Sequence, residues 1–119
     1  MKTKIASILF IAICFTVQLS FAQAKGVVTD TIKVYGNCTM CKNRIETALD
    51  HKGIKQAKWD PKTKDLVVAY NPSKITEQQI HEIVASVGHD TDKVKAKVEV
   101  YSGLPFCCLY RDHEMKDDH

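Results

Sequence analysis

The segment "KITEQQIHEIVASVG" leaves little choice of local structure. Thr76 and Gln79 stand at the spacing of a capping box, in which a hydroxyl and a side-chain amide each close on the other's backbone N–H. Ile75 precedes the box where it can staple to Ile80. Ile80, Ile83, Val84 and Val87 recur along one helical face, and Gly88 suits a left-handed stop. A helix patterned this way must bury its stripe against another layer.

The remaining pattern says what that layer is. From Cys41, apolar residues return at Ile45, Ala48 and Leu49, a second amphipathic helix that either Asn37 or Thr39 can cap and that "HKG", through Gly53, can stop. "TIKVYG" places Ile32 and Val34 on one face of a half-buried strand. "IKQAKWD" and "DLVVAYN" read as a hairpin turning through "PKTK". "TDKVKAKVEV" alternates Val94, Ala96, Val98 and Val100 with polar residues and is expected to supply a last strand. The order is strand, helix, strand, strand, helix, strand, so both helices must share one face of the sheet in a two-layer sandwich. The tail "RDHEMKDDH" is charged and expected to fray.

The chain opens with Lys2 and Lys4, an apolar run "IASILFIAICFTV", and Ser20 and Ala22 spaced as at a signal-peptidase site before Gln23. We read residues 1–22 as a cleaved leader, which places the protein in the periplasm or outside the cell; the other reading is an uncleaved anchor. Cys14 would leave with the leader. Residues 23–29 lead in, 30–96 form the domain, and 97–119 are an extension. Of 17 basic and 14 acidic side chains, the leader takes two basic ones, so residues 23–119 carry a net charge of +1. With no basic stripe interleaved with aromatics, nucleic acid is not expected as a partner. Four cysteines remain, Cys38, Cys41, Cys107 and Cys108, and in an exported protein an even number allows two disulfides.

From about Asp30 to Lys95 the chain resembles the heavy-metal-associated domain family, which includes copper chaperones, soluble domains of metal-pumping ATPases and periplasmic mercury-binding proteins. The residues that carry the resemblance are the CxxC of Cys38 and Cys41, "GIKQAKWD", "VVAYNPSKIT" and "VGHD". It implies an α+β, ferredoxin-like βαββαβ fold, with a four-stranded antiparallel sheet and two helices on one face, and soft-metal binding by Cys38 and Cys41. The chain departs from the family in two places. Tyr35-Gly36-Asn37 stands where the family usually has Gly-Met-(Thr or His), which leaves the loop freer at Gly36, and the extension from Lys97 has no counterpart in a minimal domain.

The chemistry of the residues agrees. Cysteines at i and i+3 on a first helical turn share a face, and the free N–H groups there favour thiolates. Thiolates select Cu(I), Zn(II) or Hg(II) over hard cations, and two sulfurs alone suit a low-coordinate ion such as Cu(I). A dithiol oxidoreductase is the alternative, although its usual strand order differs. His89, just past the second helix, is a candidate third ligand or supporting donor. His51 and His81 read as surface residues. His113 and His119 sit among carboxylates in the tail, a weak cation site or a solvated end. Adjacent Cys107 and Cys108 cannot easily bond each other, so they join the CxxC site, bridge to it as disulfides, or take a second ion. Lys42 and Arg44 either attract an acidic partner domain or form a solvated face. The reading is an exported Cu(I) carrier or scavenger with no enzymatic activity, monomeric or bridged into a dimer by metal. It would pass its ion to a metal-transporting membrane protein or another metal-binding domain. The alternatives are mercury binding ahead of an importer, and thiol–disulfide exchange.

Overall fold

A computed structural model describes residues 26–114; residues 1–25, among them those read as a leader, and 115–119 lie outside the described residues. Three strands and two longer helices follow in the expected order: β1 (Val28–Lys33), α1 (Thr39–Ala48), β2 (Ile54–Trp59), β3 (Asp65–Tyr70) and α2 (Glu77–Ser86). The extension adds α3 (Val98–Ser102), a 3₁₀ turn at Phe106–Cys108 and α4 (Tyr110–Glu114). No helix among the described residues is long and apolar enough to cross a membrane.

The strands lie in the order β1-β3-β2, both pairs antiparallel. Ile32 pairs with Leu66, and Leu66 with Trp59, which puts all three on the buried face. Leu66, Val68 and Tyr70 point inward from β3 while Val67 stays exposed, the alternation expected of a sheet covered on one side. A register shift between Ile54 and Gln56 puts an extra residue into β2, so Ile54 and Ala57 can both pack on the core although they are an odd three positions apart. Ile45 from α1, Leu49 at its C-cap, and Ile80 and Val84 from α2 complete that core with Ile75. Trp59 sits at its centre, fully buried, and donates its indole N–H to the Val34 carbonyl at 3.0 Å.

Helix α2 forms as expected. Thr76 is the N-cap, its hydroxyl accepts from the Gln79 N–H, and the Gln79 side chain accepts from the Thr76 N–H. Gly88 adopts φ +102° just beyond the C-cap. Helix α1 differs at both ends. Its N-cap is Cys38, because Asn37 turns its carbonyl oxygen to the Cys41 thiol instead of a backbone N–H. Gly53 is not left-handed; it is needed for space, since a Cβ there would lie 2.8 Å from Ile75 Cγ2. His51 stays exposed as expected and accepts the Gly53 N–H.

The fourth strand is not formed among the described residues. It shrinks to a single antiparallel bridge between Val34 and Thr91. Side chains claim the backbone donors a ladder would use: the Thr91 hydroxyl accepts from the N–H groups of Lys93 and Val94, and the Asp90 carboxylate accepts from that of Ala96. Val98 and Val100 then enter α3, not a strand. The Thr91 turn also covers His81, which is buried and hydrogen-bonded to the Thr91 hydroxyl at 2.6 Å, contrary to its surface reading.

The start of the charged tail is anchored rather than frayed. Arg111 forks onto Asp90, Nε to Oδ2 at 3.0 Å and Nη2 to Oδ1 at 2.6 Å, and also donates to the Ala96 carbonyl. Its guanidinium lies over the Tyr101 ring. Buried Tyr110 accepts the Asp90 N–H and donates to the Gly88 carbonyl. His113 falls within α4, and His119 lies outside the described residues.

Candidate metal centre

The strand-to-helix loop carries the first two sulfurs. Cys38, in extended conformation at the N-cap, is half-buried; Cys41, one turn on, is wholly buried; their Sγ atoms are 3.3 Å apart. Gly36 permits this packing and is not loose: a Cβ there would lie 3.0 Å from the Trp59 ring and 3.2 Å from Cys41 Cβ.

The third sulfur comes from the far end of the chain. Successive residues of a 3₁₀ turn point about 120° apart. In the turn at Phe106–Cys108, Cys108 therefore faces inward and is fully buried, while Cys107 is exposed. Cys108 Sγ stands 3.6 Å from Cys38 Sγ, and the sulfurs of Cys38, Cys41 and Cys108 all lie within 4.8 Å of one another. All four cysteines among the described residues are free thiols. An ion with three bonds of about 2.3 Å would hold its sulfurs roughly 4 Å apart, so small side-chain adjustments suffice to close on one.

Thiolates crowded together build up negative charge, and Arg44 is placed to offset it. Its Nη1 donates to Cys108 Sγ at 3.2 Å. Lys42 is committed elsewhere, to Glu46 and to the Trp59 carbonyl, and Glu46 in turn accepts the Trp59 N–H. Neither residue is simply a solvated helix face.

The two CxxC thiols titrate apart. Burial works to raise Cys38, but the N–H groups of Cys41 and Met40 and the thiols of Cys41 and Cys108 outweigh it, bringing the pKa from 9.0 to about 7. Burial pushes Cys41 up to about 12, helped by the neighbouring sulfurs of Cys108 and Cys38. Cys38 is thus the ready thiolate, and Cys41 the protonated donor that must lose its proton when an ion arrives.

His89 lies outside the sulfur cluster. It is buried, donates Nδ1–H to the Tyr35 carbonyl at 2.9 Å and stacks on Tyr110. Burial first, and the Arg44 charge next, hold its pKa below the usual histidine value, so it is a neutral ring. It braces the Tyr35 loop against Tyr110, the first residue of α4. Sequence reasoning missed Arg44 as a thiol partner, Asn37 as a thiol acceptor, and the Asp90–Arg111 clasp. The one hint was the run Leu109-Tyr110-Arg111 after the cysteine pair, unusual in a tail that only needs to be soluble.

Residues 31–90 match the sequence profile of the heavy-metal-associated domain, half of the chain. The chain belongs to the heavy-metal-associated domain family. It is 33% identical over 78 residues to a zinc-transporting ATPase of Synechocystis, an alignment covering 64% of this chain and 11% of that ATPase. The CopZ metallochaperone superposes with a TM-score of 0.52 at 26% identity, over 54% of this chain and 98% of the chaperone. The Cu(I)-loaded N-terminal domain of a potential copper-translocating P-type ATPase from Bacillus subtilis gives 0.52 at 25% identity, over 55% and 84%. Relatives of this heavy-metal-associated domain therefore occur both as a separate chaperone and as a piece of a metal-transporting ATPase.

Proposed function

We propose that this protein is an exported Cu(I) carrier that holds its ion with Cys38, Cys41 and Cys108 and has no catalytic role. The observation that carries the reading is the convergence of three thiols, with no fourth Cys, His, Asp or Glu joining them among the described residues. Three sulfurs suit Cu(I), whereas structural Zn(II) takes four ligands. Export rests on the leader pattern of residues 1–22.

Transfer would proceed by ligand exchange. A partner thiolate attacks the ion on its open side while Cys38, at the rim, lets go first and buried Cys41 and Cys108 hold until last. Arg44 keeps the buried sulfurs from carrying their full charge in a dry setting, where unpaired charge is costly. The similarity to metal-transporting ATPase domains favours a soluble domain of such a transporter, or another metal-binding domain, as the receiver.

The test is Cu(I) competition against a chromophoric chelator, with X-ray absorption on the loaded protein. One ion held by three sulfurs is expected. Two sulfurs only would restrict the site to the CxxC. A second reading, Zn(II), is favoured by the identity to the zinc-transporting ATPase; preferential retention of zinc, with a non-sulfur fourth ligand in the spectrum, would replace the copper reading. Tighter retention of Hg(II) than of Cu(I) under thiol competition would replace it with a mercury carrier.

A further inference from the structure

Beside the three-sulfur pocket, two more sulfur atoms lie on the surface. Cys107 is exposed and its thiol donates to Met40 Sδ at 3.4 Å; Met40 itself is 49% exposed. Cys107 Sγ is 3.9 Å from Cys108 Sγ. The five sulfurs therefore form a connected series that joins the pocket to the exposed pair, with half-buried Cys38 between buried Cys41 and Cys108: Cys41 to Cys38 at 3.3 Å, Cys38 to Cys108 at 3.6 Å, Cys108 to Cys107 at 3.9 Å, and Cys107 to Met40 at 3.4 Å.

We propose that Cys107 and Met40 form a surface landing site for Cu(I), from which the ion passes along the sulfur line into the pocket. This rests on the copper-carrier reading. One ion with metal–sulfur bonds of about 2.3 Å can bridge sulfurs up to roughly 4.6 Å apart. Every step in the line is shorter than that, so the ion keeps two sulfur ligands throughout. The local fold supplies the geometry. Met40 sits between the two CxxC cysteines on the first turn of α1, and the 3₁₀ turn that buries Cys108 turns Cys107 out towards it.

Copper stays Cu(I) at each step. On arrival a bond to Cys107 sulfur forms as a bond to the donor's ligand breaks, and the Cys107 proton leaves to the solvent or to that ligand. The neutral thioether of Met40 completes the pair. The bond to Met40 then breaks as one to Cys108 forms, with the Cys108 proton released. Finally the bond to Cys107 breaks as Cys38 and Cys41 close on the ion, the proton that Cys41 loses leaves to the solvent, and Cys107 takes one up from it.

The experiment mixes the mature protein rapidly with Cu(I) held by bicinchoninate and follows loss of the chelator colour. Cys107→Ser and Met40→Leu are each expected to slow loading about tenfold, since exchange depends on an accessible attacking sulfur. Their equilibrium affinity for the single ion should remain that of wild type, and the double variant should load no more slowly than the slower single one. Wild-type loading rates in both variants would overturn the landing site. An affinity loss in Cys107→Ser as large as in Cys108→Ser would overturn it too, by making Cys107 a pocket ligand. If wild type itself takes no Cu(I) from the chelator, the carrier reading falls first and the landing site with it. If wild type loads and Cys38→Ser does not, while the surface variants match wild type, only the landing site falls.

Discussion

Arg111 closes on Asp90 with two charge-assisted hydrogen bonds, and this clasp sets where Cys108, three residues earlier, comes to rest. Asp90 belongs to the loop after α2 and pairs backbone with Tyr35 of the CxxC loop. Asp90 thus ties the extension to the start of the site, with its carboxylate on Arg111 and its backbone on Tyr110 and Tyr35.

Breaking the clasp should therefore cost both stability and a ligand. Both partners are mostly shielded, so Arg111→Gln should lower unfolding free energy by about 1–3 kcal/mol, the usual range for hydrogen bonds to charged groups. The sulfur count by X-ray absorption of the Cu(I) form should fall from three towards two. An unchanged count would show that Tyr110 places the turn without Arg111.

Acid should undo the same contact. Burial works to raise the Asp90 carboxyl, but hydrogen bonds from Arg111 and Ala96 win and hold it below its ordinary value of 3.8. A carboxyl depressed in the folded state stabilises fully above its unfolded pKa and loses that contribution as pH falls through the folded one. This term should thus be flat from about pH 5 upward and fade below about pH 4. Urea midpoints of wild type and Arg111→Gln should converge as pH drops below 4; a constant gap down to pH 2 would contradict the assignment.

Thiol reactivity should rank Cys38 first. With its pKa near 7, Cys38 should be alkylated by iodoacetamide with a midpoint close to neutrality. Exposed Cys107, whose pKa is raised by desolvation and then by the sulfurs of Cys108 and Cys38, should lag, and buried Cys41 should be slowest. Peptide mapping by mass spectrometry reads the order directly. Faster labelling of Cys107 at pH 7 would mean that exposure outweighs ionisation.

The fold should not depend on the ion, because the core and the α2 cap are complete without it. Thr76→Ala should cost about 1 kcal/mol through loss of the cap. Fully buried Ile80→Ala should cost roughly 2–5 kcal/mol, and Ile83→Ala less, since Ile83 is only partly buried. Denaturant melts of metal-free protein check all three; a metal-free chain with random-coil circular dichroism would make the ion part of the core.

What the sequence determined by itself is the local structure. The capping box, the two apolar stripes, the alternation in β3 and the glycine after α2 are written within a turn or two of chain, where periodicity and backbone chemistry decide. The CxxC at the head of a helix was legible for the same reason. The tertiary structure decided everything that depends on contacts between residues distant in the chain. "TDKVKAKVEV" has the alternation of a strand, but the side chains of Asp90 and Thr91 take its N–H groups, and Asp90 does so while held by Arg111 from the tail. His81 lies beside the apolar stripe and is buried because the Thr91 turn folds over it. Cys108 reaches Cys38 across 70 residues, and Arg44 meets Cys108 across 64. Periodicity carries no distance between such pairs; only the packing of the extension against the loop after α2 supplies it.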